Sequence, residues 1–247
     1  MASQTHKING VSLTALVITT AIGSGIFALS SDLAAAASPG AALISWAIVG
    51  FGILMLAACL NNLLNKRSDL EGIFAYGKAG FGSFVGFISG WGYWMSAWLG
   101  NVAFATVFMS TLGYFFPIFH QGNSPLSILV ASIIAWSLTL LVNHGVESAT
   151  LMNTIITVCK LIPIFTFIIV AIILFNGHIF TAQFWGNFRG SLTLGAIAPQ
   201  IRSSLMIMMF VFVGIEGATI MASRAKSSKI AGRATLIGVS CLLVIYA

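Results

Sequence analysis

Apolar residues along this chain form long unbroken runs, and polar residues gather in the short stretches between the runs. The run from Ala41 to Leu64, AALISWAIVGFGILMLAACLNNLL, carries no charged residue. A helix that crosses a bilayer needs about 20 apolar residues, and none of the runs shows the alternation of a membrane β-strand. The pattern predicts seven membrane-spanning helices near residues 11–36, 41–64, 84–116, 125–143, 150–175, 199–222 and 232–247.

Composition supports an all-α integral membrane protein that forms a single membrane domain over residues 1–247. Hydrophobic residues make up 58% of the chain, charged residues only 6%, and the mean hydropathy is +1.01. Soluble domains average about 25% charged residues, so this chain cannot coat a water-exposed surface of its size. The three cysteines lie in apolar runs and the four histidines are scattered. We therefore expect no disulfide framework, no metal site and no cofactor.

Basic residues lie mainly on one side of the predicted helices. With the N-terminus in the cytoplasm, eight lysines and arginines face the cytoplasm, and only Arg189 and Arg202 lie outside or at an outer helix end. This bias predicts a multi-pass protein with a cytoplasmic N-terminus, and it explains the net charge of +6 without a nucleic acid partner. The polar connector Asn65–Gly82 is predicted to be a solvated loop. The eight cytoplasmic cations are Lys7, Lys66, Arg67, Lys78, Arg224, Lys226, Lys229 and Arg233.

The first predicted span contains a glycine-flanked serine, in the sequence TTAIGSGIF (Thr19–Phe27). Glycine weakens a helix by roughly 1 kcal/mol relative to alanine. An unwound turn at Gly23, Ser24 and Gly25 would expose amide N–H groups and the positive end of the helix that restarts beyond it, which together suit a carboxylate. The alternative is close helix packing, because small residues let two backbones approach.

The sixth predicted span carries a second glycine-flanked polar residue. Gly214 and Gly217 bracket Glu216 near the middle of an apolar run. A carboxylate at that depth costs at least about 2.5 kcal/mol, so it must be partnered or protonated. It is either a functional group or a structural acceptor for nearby backbone.

Two more spans place polar groups at membrane depth. Asn153, Thr157 and Lys160 lie at i, i+4 and i+7 and so share one helix face. Lys160 can occupy the position of a bound cation, lose its proton during a transport cycle, or brace neighbouring helices.

The third span places one polar residue, Asn101, on a face that is otherwise apolar and aromatic. Ala97, Asn101 and Phe104 lie at the same helical spacing, beside the aromatic Tyr93. An amide such as that of Asn101 needs hydrogen-bond partners inside a membrane.

Five motifs together resemble the amino acid–polyamine–organocation superfamily, and within it the basic amino acid/polyamine antiporters, especially the arginine/ornithine antiporters. The motifs span almost the whole chain in the family's order. They are IGSGIF, GIFAYGKAGFG, GYWMSAWLGNVAF, NTIITVCKLIPI and FVGIEGATIMASRAK. The resemblance implies a five-plus-five inverted-repeat transporter fold with broken first and sixth helices. It also implies a bacterial cell (inner) membrane.

The resemblance also implies roles for individual residues. The substrate carboxylate would be held by Ile22, Gly23, Ser24 and Gly25, and the α-amino group by backbone carbonyls around Phe210 and Val213. Ala97, Asn101 and Phe104 would line the side-chain pocket. Tyr93 and Glu216 would belong to a gating and proton-sensitive network. Lys160 would stand where some relatives bind sodium.

The chain departs from the family in two respects. Arginine/agmatine members carry tryptophan where Phe210 stands, and serine where Val211 stands, so a guanidinium would meet a weaker cation–π partner here. The chain also stops inside the seventh predicted span, so the second repeat is incomplete and the chain is expected to be a truncated form.

The leading hypothesis is antiport of arginine, ornithine or lysine by alternating access, in a chain that is not an enzyme. One alternative is a proton-coupled amino acid permease in which Lys160 or Glu216 carries the proton. Another is a non-transporting membrane subunit or inactive fragment. The expected assembly is a homodimer, as relatives with this fold often form, or a complex with a partner that supplies the missing helices.

Overall fold

The computed structural model describes residues 9–23, 25–70, 72–144, 146–186, 194–215 and 225–247. Within these ranges the chain forms α-helices, one short 3-10 helix and connecting turns, with no β-strand. The helices are α1 (Gly10–Ala21), α2 (Gly25–Ala36), α3 (Pro39–Lys66), α4 (Ile73–Phe81), α5 (Ser83–Leu112), α6 (Pro125–His144), α7 (Val146–Ile173), α8 (Gly177–Ala182), α9 (Leu194–Val211) and α10 (Ser228–Tyr246); the 3-10 helix is Pro117–Phe119.

Four of the described helices are long and apolar enough to cross a membrane. They are α3, α5, the Ile155–Ile173 part of α7 and the Lys229–Tyr246 part of α10. A fifth span results if α1 and α2, which bend by 51° at a short break, are counted as one. The apolar stretches of α6 and α9 are shorter, at Pro125–Leu141 and Gly195–Val211. The protein is therefore all-helical in its described parts, with four to five spanning helices by length and hydropathy.

The third predicted span, 84–116, ends earlier than its hydropathy suggests. Helix α5 stops at Leu112, and the N–H of Gly113 still donates to the carbonyl of Met109 at 3.1 Å. A Cβ at Gly113 would lie only 2.6 Å from the Cα of His120, so the chain turns sharply at this glycine. The apolar residues beyond it form turns and a short 3-10 helix that Pro117 begins.

The polar connector Asn65–Gly82, between α3 and α5, is not a plain solvated loop, and that prediction was wrong. Helix α4 occupies half of it, after Gly72, whose φ of +77° favours glycine. The phenol of Tyr76 donates a hydrogen bond to the carbonyl of Arg67 at 3.3 Å, and the Arg67 guanidinium binds both carboxylate oxygens of Asp69 at 2.9 and 3.0 Å. This hydrogen bonding lowers the pKa of Asp69.

The described chain divides into two compact units, and the first comprises Met1–Tyr93 and Gly177–Ala247. In this unit α10 packs along α3 and α1, and α9 packs along α3 and α2. Small residues allow the close approach of α10: a Cβ at Gly238 would lie 2.7 Å from a methyl group of Val17, and one at Gly232 would overlap Asn61. The buried cluster at this junction is Leu13, Leu64, Ala225, Ala231 and Ala234.

The second unit, Trp94–Asn176, contains the end of α5, α6 and α7. Helices α6 and α7 pack against each other. The N-terminal turn of α6 is capped by Ser124, whose hydroxyl accepts a hydrogen bond from the N–H of Ser127 at 3.2 Å. Helix α7 continues through Pro163.

Candidate functional site

The first span is interrupted by a tight turn between α1 and α2. Helix α1 ends at Ala21, and the N–H of Gly23 turns back to the carbonyl of Ala21 at 2.8 Å. The backbone of Ile22, with φ −71° and ψ 85°, has the geometry of an inverse γ-turn. Ser24 lies outside the described residues, and α2 begins at Gly25.

This turn creates a helix N-terminus within an apolar segment. The first N–H groups of α2 have no carbonyl partner earlier in their own helix, and they carry the positive end of the helix dipole. Such an end binds anions, carboxylates among them. The break can therefore hold a negatively charged group by backbone alone.

The sixth predicted span is interrupted as well. Helix α9 ends at Val211, and the following N–H groups of Phe212, Val213 and Ile215 donate to carbonyls three residues back at 3.3–3.4 Å. Gly214 has φ +106°, a conformation that side-chain-bearing residues rarely adopt. The predicted acid Glu216, with its neighbour Gly217, lies outside the described residues.

The two interruptions contact each other, and a glycine stands at each contact. A Cβ on Gly25 would lie 3.3 Å from the Phe210 ring and 3.7 Å from the Cα of Val211. A Cβ on Gly214 would lie 3.1 Å from the carbonyl oxygen of Thr20, at the end of α1. The first break therefore packs directly against the second, and a side chain at either glycine would crowd the other break.

A tyrosine from α10 is hydrogen-bonded to the backbone at the first break. The Tyr246 hydroxyl donates a hydrogen bond to the carbonyl of Ala21 at 3.2 Å, so this carbonyl accepts from both Tyr246 and Gly23. The Tyr246 ring is buried 5.4 Å from the ring of Phe212, which meets Trp46 edge-on at 6.2 Å. Sequence reasoning missed Tyr246; its only signal was a phenol in an apolar helix, where a hydroxyl needs a partner.

The predicted site residues of the first unit differ in exposure. The Ile22 side chain is 1% exposed, so it packs inward and this residue offers its backbone to the break. Phe210 is 43% exposed and Val213 is 49% exposed, so both side chains reach the open side of α9 and the turn after it. Tyr93 lies on α5, partly exposed.

The remaining predicted residues belong to the second unit. Ala97, Asn101 and Phe104 lie along one exposed side of α5. Lys160 lies half-buried on α7. Their assignment to a side-chain pocket and to a cation position stays a prediction.

A family comparison identifies the chain more closely. The sequence profile of the amino acid permease family matches residues 8–247. An arginine/ornithine antiporter of Latilactobacillus sakei is 59% identical over 240 residues, which cover 97% of this chain and 50% of the relative. The arginine/ornithine antiporter of Pseudomonas aeruginosa is 45% identical over 97% of this chain and 50% of its own length.

The similar proteins also include arginine/agmatine antiporters. An arginine/agmatine antiporter of Chlamydia felis is 39% identical over 99% of this chain and 51% of its own length. The chain spans about half the length of these curated relatives. By the extent of these matches, the chain belongs to the amino acid permease family.

Proposed function

We propose that the chain provides the substrate-binding breaks of an antiporter that exchanges arginine for ornithine across a cell membrane. The observation that carries this proposal is the contact between Gly25 and Phe210, because it joins the start of α2 to the end of α9. The antiporter names of the similar proteins support the substrate class.

The proposed binding mode follows from the backbone at the two breaks. The substrate carboxylate lies at the turn formed by Ile22, Gly23, Ser24 and Gly25, where the α2 dipole favours negative charge. The α-amino group donates to carbonyls near Phe210 and Val213. The half-exposed Phe210 ring is placed to stack on a guanidinium or ammonium, a contact worth about 0.5–2 kcal/mol.

Transport then requires that both faces of the site open in turn. We propose the five-plus-five inverted-repeat fold with seven spans in this chain and a cytoplasmic N-terminus in an inner membrane. The bend between α1 and α2 and the charge bias of the loops support it. Tyr93, Glu216 and Lys160 are proposed as gating and proton-linked groups, and Ala97, Asn101 and Phe104 as side-chain contacts.

The first test is calorimetric binding of L-arginine to the purified 247-residue chain in detergent. Gly25→Trp fills the space between α2 and the Phe210 ring, since even a Cβ there meets that ring at 3.3 Å. Gly52→Trp is the matched control, because a Cβ at Gly52 has no neighbour within 4 Å in the part of the chain that the structure describes. We expect saturable binding, competition by ornithine, loss of binding in Gly25→Trp and its retention in Gly52→Trp.

Two outcomes of this test contradict the proposal. A folded wild-type chain that binds neither arginine nor ornithine does not hold the site by itself. Equal binding by the two tryptophan variants places the ligand elsewhere than the break.

The second test reconstitutes the chain in liposomes and measures uptake of labelled arginine. Uptake that requires internal ornithine indicates exchange, whereas uptake driven by a proton gradient into empty liposomes indicates the permease alternative. No uptake from a chain that does bind substrate indicates either a non-transporting subunit that needs a second polypeptide or an inactive fragment. The mass of the purified complex distinguishes these last two.

A further inference from the structure

The corner between α2 and α3 has two backbone amides that neither helix satisfies. The N–H of Ser38, at the start of α3, donates to the side-chain Oε1 of Gln200 at 2.8 Å. The N–H of Gly40 donates to the carbonyl of Phe184 at 2.7 Å. Pro39 between them has no N–H. Both amides are therefore bound by residues that follow α7 in the sequence, and one of these partners is a side chain.

Gln200 is oriented by its own helix. Its side-chain Nε2 donates to the carbonyl of Ala196, one turn earlier on α9, at 3.1 Å. That bond fixes which side-chain atom faces Ser38. Gln200 also begins the inward face of α9, which continues at four-residue spacing with the fully buried Ser204 and Met208. The amide group therefore lies between the helices.

Helix α2 is fastened to α9 near both of its ends. Gly25 meets Phe210 at the beginning of α2, and Ser38 meets Gln200 just beyond its end. The two helices consequently run antiparallel. At 1.5 Å per residue, both attachments are separated by about 15–20 Å along either helix. The distant attachment limits how far α2 can swing away from the Phe210 ring.

We propose that Gln200 is a positioning residue for the break: its amide holds the far end of α2 against α9 and thereby keeps the first turn of α2 at Phe210. The effect on ligand affinity rests on the proposed function, whereas the attachment of α2 does not.

Three variants of the full chain test the role of Gln200. Gln200→Met keeps an unbranched side chain of similar length but removes the amide acceptor. Gln200→Glu, in its protonated form, retains both an Oε acceptor for the Ser38 N–H and a donor, its O–H, for the Ala196 carbonyl. Gln183→Met is the matched control, because Gln183 is an exposed glutamine in the same unit.

The first measurement is hydrogen exchange read by mass spectrometry, in peptides that cover the 33–42 corner and the 25–30 start of α2. Loss of one hydrogen bond to a buried amide corresponds to about a tenfold change in the opening equilibrium. We expect Gln200→Met to exchange about tenfold faster at the corner and also faster at the start of α2. Gln200→Glu and Gln183→Met stay within about threefold of wild type.

The exchange rate of the 25–30 peptide distinguishes a positioning role of Gln200 from a role that only supports the 33–42 corner. Faster exchange at the corner alone, with the 25–30 peptide unchanged, overturns the proposal. Should Gln200→Met fail to fold, the wild-type chain still provides a test, since an unprotected Ser38 amide overturns it as well.

Arginine affinity is the second measurement. We expect Gln200→Met to bind about tenfold more weakly than Gln183→Met. Unchanged affinity in a chain that does bind arginine overturns the proposal. If no variant and no wild-type chain binds arginine while exchange at both ends of α2 rises in Gln200→Met, the attachment stands and the proposed function fails.

Discussion

Gly214 offers the sharpest test of the packing between the two breaks. Its φ of +106° is accessible to glycine and strained for alanine, at a cost of about 1–3 kcal/mol. A Cβ would also lie 3.1 Å from the carbonyl oxygen of Thr20, which is tighter than an ordinary contact. Because that oxygen belongs to backbone at the end of α1, it can move away only if the break itself shifts. We expect Gly214→Ala to destabilise the chain.

Gly195→Ala is the matched control, because Gly195 lies near the start of α9, the helix that ends just before Gly214. Among the described residues, none lies within 4 Å of a Cβ at Gly195, and alanine is favoured over glycine in a helix by up to about 1 kcal/mol. The same one-methyl change is therefore expected to have the opposite sign at the two positions.

Thermal unfolding in detergent, followed by tryptophan fluorescence, measures both variants. For a chain of this size, 1 kcal/mol corresponds to about 2–4 °C in Tm. Gly214→Ala is expected to lower the Tm by about 2–12 °C, and Gly195→Ala to leave it unchanged or raise it by up to about 4 °C. Equal Tm values for the two variants would refute the geometry assigned to the second break.

Two further substitutions test contacts of α10. Tyr246→Phe keeps the buried ring but removes the hydrogen bond to Ala21, and we expect a loss of about 0.5–1.5 kcal/mol in unfolding free energy and weaker arginine binding. Tyr76→Phe is the matched control, because it removes a similar hydrogen bond from a phenol to a carbonyl outside the break. We expect arginine binding to be unchanged in Tyr76→Phe, and equal weakening in both variants would contradict a role of Tyr246 at the site. Gly238→Ala places a Cβ 2.7 Å from a valine of α1 and is expected to lower the unfolding free energy by about 1–3 kcal/mol. Gly50→Ala is its control, because the nearest contact of a Cβ there would be 3.4 Å away. The same unfolding assay is expected to show no measurable loss for Gly50→Ala.

Local sequence features were sufficient to predict the class of protein, because the bilayer itself imposes helical structure on long apolar runs. Long uncharged runs must be helical in lipid because every backbone group needs an internal partner, so the class of protein follows from hydropathy. Helix α3 extends only two residues beyond either end of the run that predicts it. Hydropathy did not indicate that the chain after Leu112 folds back until His120 lies against Gly113.

The connector helix α4 shows a second limit of local reasoning. Its charged and glycine-rich sequence is typical of a loop. The segment nevertheless forms a helix, and the phenol of Tyr76 donates a hydrogen bond back to the carbonyl of Arg67. Polarity alone does not reveal such a contact.

The sequence by itself determined that this is a helical membrane protein of the amino acid permease family, and it pointed to glycines at Gly25 and Gly214 as places where helices are interrupted. Only the tertiary structure decided what those glycines contact. The Gly25–Phe210 approach and the hydrogen bond from Ser38 to Gln200 join residues more than 160 positions apart. Hydropathy and glycine placement predict the local structure of one or two helical turns. A contact between distant segments depends instead on how whole helices pack. The motifs therefore indicated where the backbone opens, and packing determined which residues meet there.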